Sequence, residues 1–116
     1  MKIEGEGQLL RIFIGENDQW EGQPLYEAIV LKARQAGLAG ATVLRGFLGF
    51  GANSRIHTTK ILRLSEDLPI VVEIVDKADK ITAILPELDK MIAEGMMTLE
   101  KVTVVAYRFD QKNKSA

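Results

Sequence analysis

Ile70-Val71-Val72-Glu73-Ile74-Val75-Asp76-Lys77-Ala78-Asp79-Lys80-Ile81-Thr82-Ala83-Ile84-Leu85-Pro86-Glu87-Leu88-Asp89-Lys90-Met91-Ile92 reads as a strand running straight into an amphipathic helix. Ile70–Val75 is β-branched at five of six positions, which suits a pleated, buried surface. Beyond it, Ile81, Ile84, Leu85, Leu88, Met91 and Ile92 recur at three- and four-residue spacing, the period of a helix with one apolar face. Asp76 is placed to cap the helix, and Gly95 ends it. Pro86 removes one backbone hydrogen bond, yet the apolar period continues from Ile84 to Met91, so the pattern predicts one kinked helix. Met96–Lys101 then reads as a loop or the start of a strand, and Val102–Tyr107 as the last strand. The polar residues 110–116 read as a flexible tail.

The same alternation occurs upstream. Gln8–Ile14 is a strand closed by Gly15, and Glu16–Gly22 is turn material. Pro24 stands where a first helical residue needs no N–H, opening a helix to Ala36 that Gly37 terminates. A second strand spans Thr42–Leu48, weakened by Gly46 and followed by Gly49 and Gly51. A polar stretch, a short apolar run at Lys60–Leu64 and a turn at Ser65–Pro69 complete the chain. The order βαββαβ is the split βαβ arrangement: an α+β, ferredoxin-like domain with two helices on one face of a four-stranded antiparallel sheet.

At 116 residues the chain fits one domain, residues 1–116 with a core over about 8–108. With 47% hydrophobic and 27% charged residues it falls in the globular range. Fifteen basic against 16 acidic residues leave a net charge of −1, which offers no field for nucleic acid or an anionic membrane. The absence of cysteine excludes disulfides and thiolate chemistry. No run is long enough for a transmembrane helix and the N-terminus has no apolar signal core, so the expected location is cytoplasmic.

Helices on one face leave the other face of the sheet bare, although Ile70–Val75 and Val102–Ala106 are apolar at nearly every position. A second copy of the chain is the economical cover, giving a closed oligomer held through its sheets. The alternative is that Val and Ile there reflect strand propensity on an exposed face.

His57 is the only histidine and has no carboxylate within several positions, which argues against a metal site or a catalytic triad. It reads as a loop residue, or as a hydrogen-bond donor to a ligand phosphate. The pairs Glu66-Asp67 and Glu87-Asp89 read as solvated surface. Met91 reads as core, while Met96 and Met97 stay open between core filler and an adaptable ligand contact. The densest signal is Gly46-Phe47-Leu48-Gly49-Phe50-Gly51-Ala52-Asn53-Ser54-Arg55. Glycines there let backbone N–H groups approach an anion, with Arg55, Lys60 or a lysine crossing from another subunit to neutralise it. Neither the P-loop nor the dinucleotide fingerprint matches, since both open a helix and these glycines end a strand. A twisted hairpin end explains the same residues without a ligand.

Gly46-Phe47-Leu48-Gly49-Phe50-Gly51 with Ser54-Arg55-Ile56-His57, the strand Leu68–Ile74 and Glu94-Gly95 together resemble the PII-like superfamily. Within it, the chain is most similar to the uncharacterised PII-like family of small bacterial and archaeal proteins, the domain of unknown function 190 type. The resemblance covers about residues 8–108 and implies a ferredoxin-like homotrimer with an adenine nucleotide in clefts between subunits. The implied ligand-binding residues are Gly46, Phe47, Gly49, Phe50, Gly51, Asn53, Arg55, His57, Met96, Met97, Lys101 and Arg108, with Lys101 matching a phosphate-binding lysine. PII proteins themselves have an arginine where this chain has Ala52. They also have a longer loop with a tyrosine and further tail arginines, of which only Arg108 remains. These departures point to AMP or ADP rather than ATP. No cofactor, metal or catalytic residue is expected. The regulated partner would be a membrane transporter or an enzyme, contacted through the loop at residues 52–60. Two other readings are a ligand-independent interaction module and a small dimeric α+β barrel enzyme.

Overall fold

The computed structural model describes residues 4–51 and 67–110. Strand β1 (Gly5–Gly15) is followed by a short hairpin of β2 (Gln19–Trp20) and β3 (Gln23–Pro24), then helix α1 (Leu25–Gln35). Strand β4 (Thr42–Arg45), strand β5 (Pro69–Asp76), helix α2 (Ala78–Met91) and strand β6 (Met96–Val104) complete it. The four long strands form one antiparallel sheet in the order β4-β5-β1-β6, the ferredoxin-like α+β arrangement that the element order predicts.

Alternation along β1 and β5 builds the core. Leu10, Ile12 and Ile14 pair with Ile74, Val72 and Ile70 in register, and all six are buried. Their partners on the helix layer are Leu25, Ala28, Ile29 and Ala33 of α1 and Ile81, Ile84, Leu88 and Met91 of α2. Each fully buried Leu, Ile or Val contributes about 1.5–3 kcal/mol.

Several element boundaries differ from expectation for identifiable reasons. Strand β6 begins at Met96, not Val102, because the long β1 supplies backbone partners for it from Gly5↔Val104 to Phe13↔Met96. Val105 and Ala106 consequently fall beyond the strand. Strand β4 stops at Arg45: Gly46 N donates to Pro69 O at 2.8 Å, but Pro69 has no N–H to continue the ladder. Pro24 is the N-cap of α1, with φ −57° and ψ 132°, because it is extended in the hairpin opposite Gln19. Glu21 (φ 48°) and Gly22 (φ 82°) make that hairpin's turn.

Lys77, not Asp76, is the N-cap of α2. The Asp76 carboxylate is the one buried charged group among the described residues. It accepts from Lys77 N at 2.7 Å and from Ala39 N at 2.8 Å, tying the chain after α1 to the end of β5. Helix α2 runs unbroken through Pro86, and both Pro86 and Thr82, whose carbonyl lacks its donor, are exposed.

The sheet face opposite the helices is not purely apolar. Leu9, Phe13, Val71 and Val75 are half-buried there, but Arg11 crosses its centre, with Nε 2.9 Å from Glu73 and Nη1 paired with Glu100. Hydrogen bonding to Glu73 does most to raise the Arg11 pKa above its ordinary value. The short run at residues 60–64 and the tail at 111–116 lie outside the described residues.

Candidate functional site

Two glycine-containing turns meet at one end of the sheet. After β4 the chain passes Gly46 and Gly49 across the ring of Pro69, where a Cβ would stand 2.8 Å and 3.0 Å from Pro69 Cγ. Before β6, Gly95 (φ 145°) lies so close to β1 that a Cβ would meet Phe13 O at 2.6 Å. A Cβ at Gly46 or Gly95 would force a shift of the turn or of its neighbour, and one at Gly49 would crowd the proline ring. Between them opens a cleft of about 580 Å³, floored by Phe13, Pro69 and Ile70 and walled by Gly49–Gly51 and Glu94–Met96, a volume in the range of small-molecule sites.

The cleft's other wall is the turn after β1. Gly15 N donates to Asp18 Oδ2 at 3.0 Å, Asn17 N to Asp67 Oδ1 at 2.9 Å, and Glu16 N to Leu68 O at 2.8 Å. Asp18, Asp67 and Glu94 all line the cleft, and no Lys, Arg or His does so among the described residues. Arg45, at the end of β4, is paired with Glu16 at 2.8 Å. A phosphate about 4 Å from a carboxylate is repelled by roughly 1–4 kcal/mol, depending on solvent access. Asp18 and Asp67 would therefore repel an anion placed directly beside them.

Of the residues implicated from sequence, Gly49, Phe50, Gly51 and Met96 line this cleft. Gly46 packs beneath it on Pro69, and Phe47 is exposed beside it. Met97 turns to the helix side of the sheet, paired with Ile12 and packed on the core. Lys101 does not share the cleft within one chain. It lines a separate 260 Å³ depression with Glu6, Gln8 and Ala78, five strand residues from Met96, or about 17 Å. Arg108 follows β6 at that same far end, where Tyr107 N donates to Glu4 at 3.1 Å and Tyr107 OH to Ala39 O at 3.4 Å. Asn53, Arg55 and His57 lie outside the described residues, as does Lys60.

Asp67, read from sequence as turn surface together with Glu66, is a cleft residue, and Asp18 is another that sequence reasoning missed. The bond from Asn17 to Asp67 spans 50 positions, so no local pattern marks it. Among the described residues, no group of three or more His, Cys, Asp or Glu is arranged to hold a metal ion, and no helix is long and apolar enough to cross a membrane.

The glycine turns, the sheet order and the cleft can be set beside known proteins. The DUF190 family (Uncharacterized ACR, COG1993) matches residues 7–104. This chain belongs to that family. A UPF0166 protein of Aquifex aeolicus is 42% identical over 98 residues, covering 84% of this chain and 92% of the relative. A UPF0166 protein of Methanocaldococcus jannaschii is 34% identical over 87 residues, covering 75% and 80%. Among solved structures, CPII of Thiomonas intermedia K12, bound to ADP and bicarbonate, superposes with a TM-score of 0.60 at 16% identity, covering 87% of this chain and 90% of that one. A putative PII-like signaling protein of Thermus thermophilus superposes with a TM-score of 0.62 at 19% identity, covering 90% and 94%. The DUF190 chain thus has the PII-like, ferredoxin-like fold.

Proposed function

We propose that this DUF190 protein is a cytoplasmic, single-domain PII-like regulator, not an enzyme. It binds an adenine nucleotide, AMP or ADP in preference to ATP, in clefts between the subunits of a homotrimer. Occupancy changes its affinity for a partner protein, a transporter or an enzyme, through the segment that follows β4. The observation that carries this reading is the cleft between Gly49–Gly51 and Gly95-Met96. ADP bound to CPII, which shares the fold, supports the ligand class.

The acidic walls require that phosphate charge be met from elsewhere. In this reading Arg55 and the Lys101 of a neighbouring copy supply it, and the open sheet faces pack in the trimer. Calorimetry with AMP, ADP, ATP and cyclic AMP tests the reading directly. Binding of AMP or ADP more tightly than ATP is expected, and no heat from any of them at millimolar concentration overturns it.

One observation favours a second reading, a ligand-independent interaction module. Phe47 is 76% exposed, Leu48 54% and Phe50 71%, a concentration of apolar surface suited to protein docking. Partner capture from lysate that is indifferent to added nucleotide would favour it.

A further inference from the structure

We infer that the described end of the cleft reads the sugar of the nucleotide, with the carboxylates of Asp18 and Asp67 accepting hydrogen bonds from a ribose diol. The inference rests on the nucleotide-binding reading above and specifies which part of the ligand these walls hold.

Three observations converge. First, the carboxylates are positioned by the backbone before any ligand arrives: Asp18 Oδ2 accepts from Gly15 N and Asp67 Oδ1 from Asn17 N. One oxygen of each thus anchors the turn after β1. Asp67 also stands directly over Gly15, where a Cβ would come within 2.6 Å of its Oδ1, so a larger residue would displace it. Second, both line the same cleft as the exposed ring of Phe50 and the side chain of Met96, an apolar surface on which a base can stack. Third, Asp18 and Asp67 bring negative charge to the described walls, among whose residues there is no Lys, Arg or His. Carboxylates repel a phosphate but are the strongest neutral-pH acceptors for hydroxyl donors. A nucleotide entering with its ribose toward Asp18 and Asp67 satisfies both, and its phosphate then points away from these walls.

The test compares AMP with 2′-deoxy-AMP and 3′-deoxy-AMP by calorimetry, in the wild type and in Asp18→Asn and Asp67→Asn. Asparagine keeps an oxygen for the turn N–H and replaces the second acceptor with a donor. The ratio of affinities, not the affinity itself, is the readout, because removing a negative charge also alters phosphate repulsion. The wild type is expected to favour AMP over at least one deoxy analogue by about tenfold, and the ratio to collapse toward one in either variant. Equal wild-type binding of AMP and both deoxy analogues overturns the inference and leaves nucleotide binding standing. So does a ratio that survives in both variants while their melting temperatures match the wild type. Failure of every nucleotide to bind overturns the preceding reading and this one together.

Discussion

Gly46 lies against the ring of Pro69, with Gly46 N bonded to Pro69 O at 2.8 Å and no room for a Cβ before Pro69 Cγ at 2.8 Å. This contact ends the β4–β5 ladder and directs the chain toward the cleft. Gly46→Ala is expected to lose about 1–3 kcal/mol through overpacking. Pro69→Ala in the same chain should recover most of that loss, because the clash is with the ring. Urea denaturation of the two single variants and the double variant measures the coupling. Additive losses would show that the contact does not limit the turn.

Gly95 meets backbone, not a flexible side chain. Because the carbonyl of Phe13 cannot move without breaking the β1–β6 ladder, Gly95→Ala is expected to cost about 1–3 kcal/mol from the φ of 145° and the 2.6 Å contact with Phe13 O. Amide exchange should accelerate at the start of β6 while the α2 core stays protected. Unchanged exchange at Met96 and Met97 would refute this.

Asp76 holds two segments with one buried carboxylate, through Ala39 N and Lys77 N. Asp76→Ala leaves both donors unpaired and is expected to destabilise the fold by about 1–3 kcal/mol. Thermal melts check the magnitude, and exchange at Ala39 identifies the bond responsible. A variant as stable as the wild type would show that water replaces the carboxylate without loss.

Arg11 stands at the centre of the open sheet face between Glu73 and Glu100. Hydrogen bonding to Glu73 raises its pKa, so whatever stability the pairing adds is fully present below the ordinary arginine pKa and is lost only as the pH rises through the raised value. Arg11→Glu sets three carboxylates together on the face proposed to pack in a trimer. Light scattering after size exclusion should report a trimer for the wild type and dissociation for the variant, with unchanged circular dichroism. A trimeric variant would move the interface elsewhere on the molecule.

Much of this architecture was legible in linear patterns. The period-two burial of Leu10, Ile12 and Ile14 and the helical period from Ile81 to Met91 each arise within one element, where spacing alone decides which side chains share a face. The glycines flanking Phe50 were likewise readable as a special backbone, and they do line the cleft. Strand boundaries were not readable in the same way. Met96–Lys101 joins β6 because β1 offers it hydrogen-bonding partners, and Arg11 has ionic partners on a face whose strands read as apolar.

Local periodicity and turn chemistry in the chain are therefore sufficient for its two helices, its four long strands and their order, since those depend mainly on neighbours within a few positions. Tertiary structure alone decides that Asp18 and Asp67 share a wall with Phe50, and that Lys101 lies at the sheet's other end. Such relations depend on strand register and on contacts across 50 or more residues, where a side chain's surroundings are set by chain segments its own sequence neighbourhood does not contain.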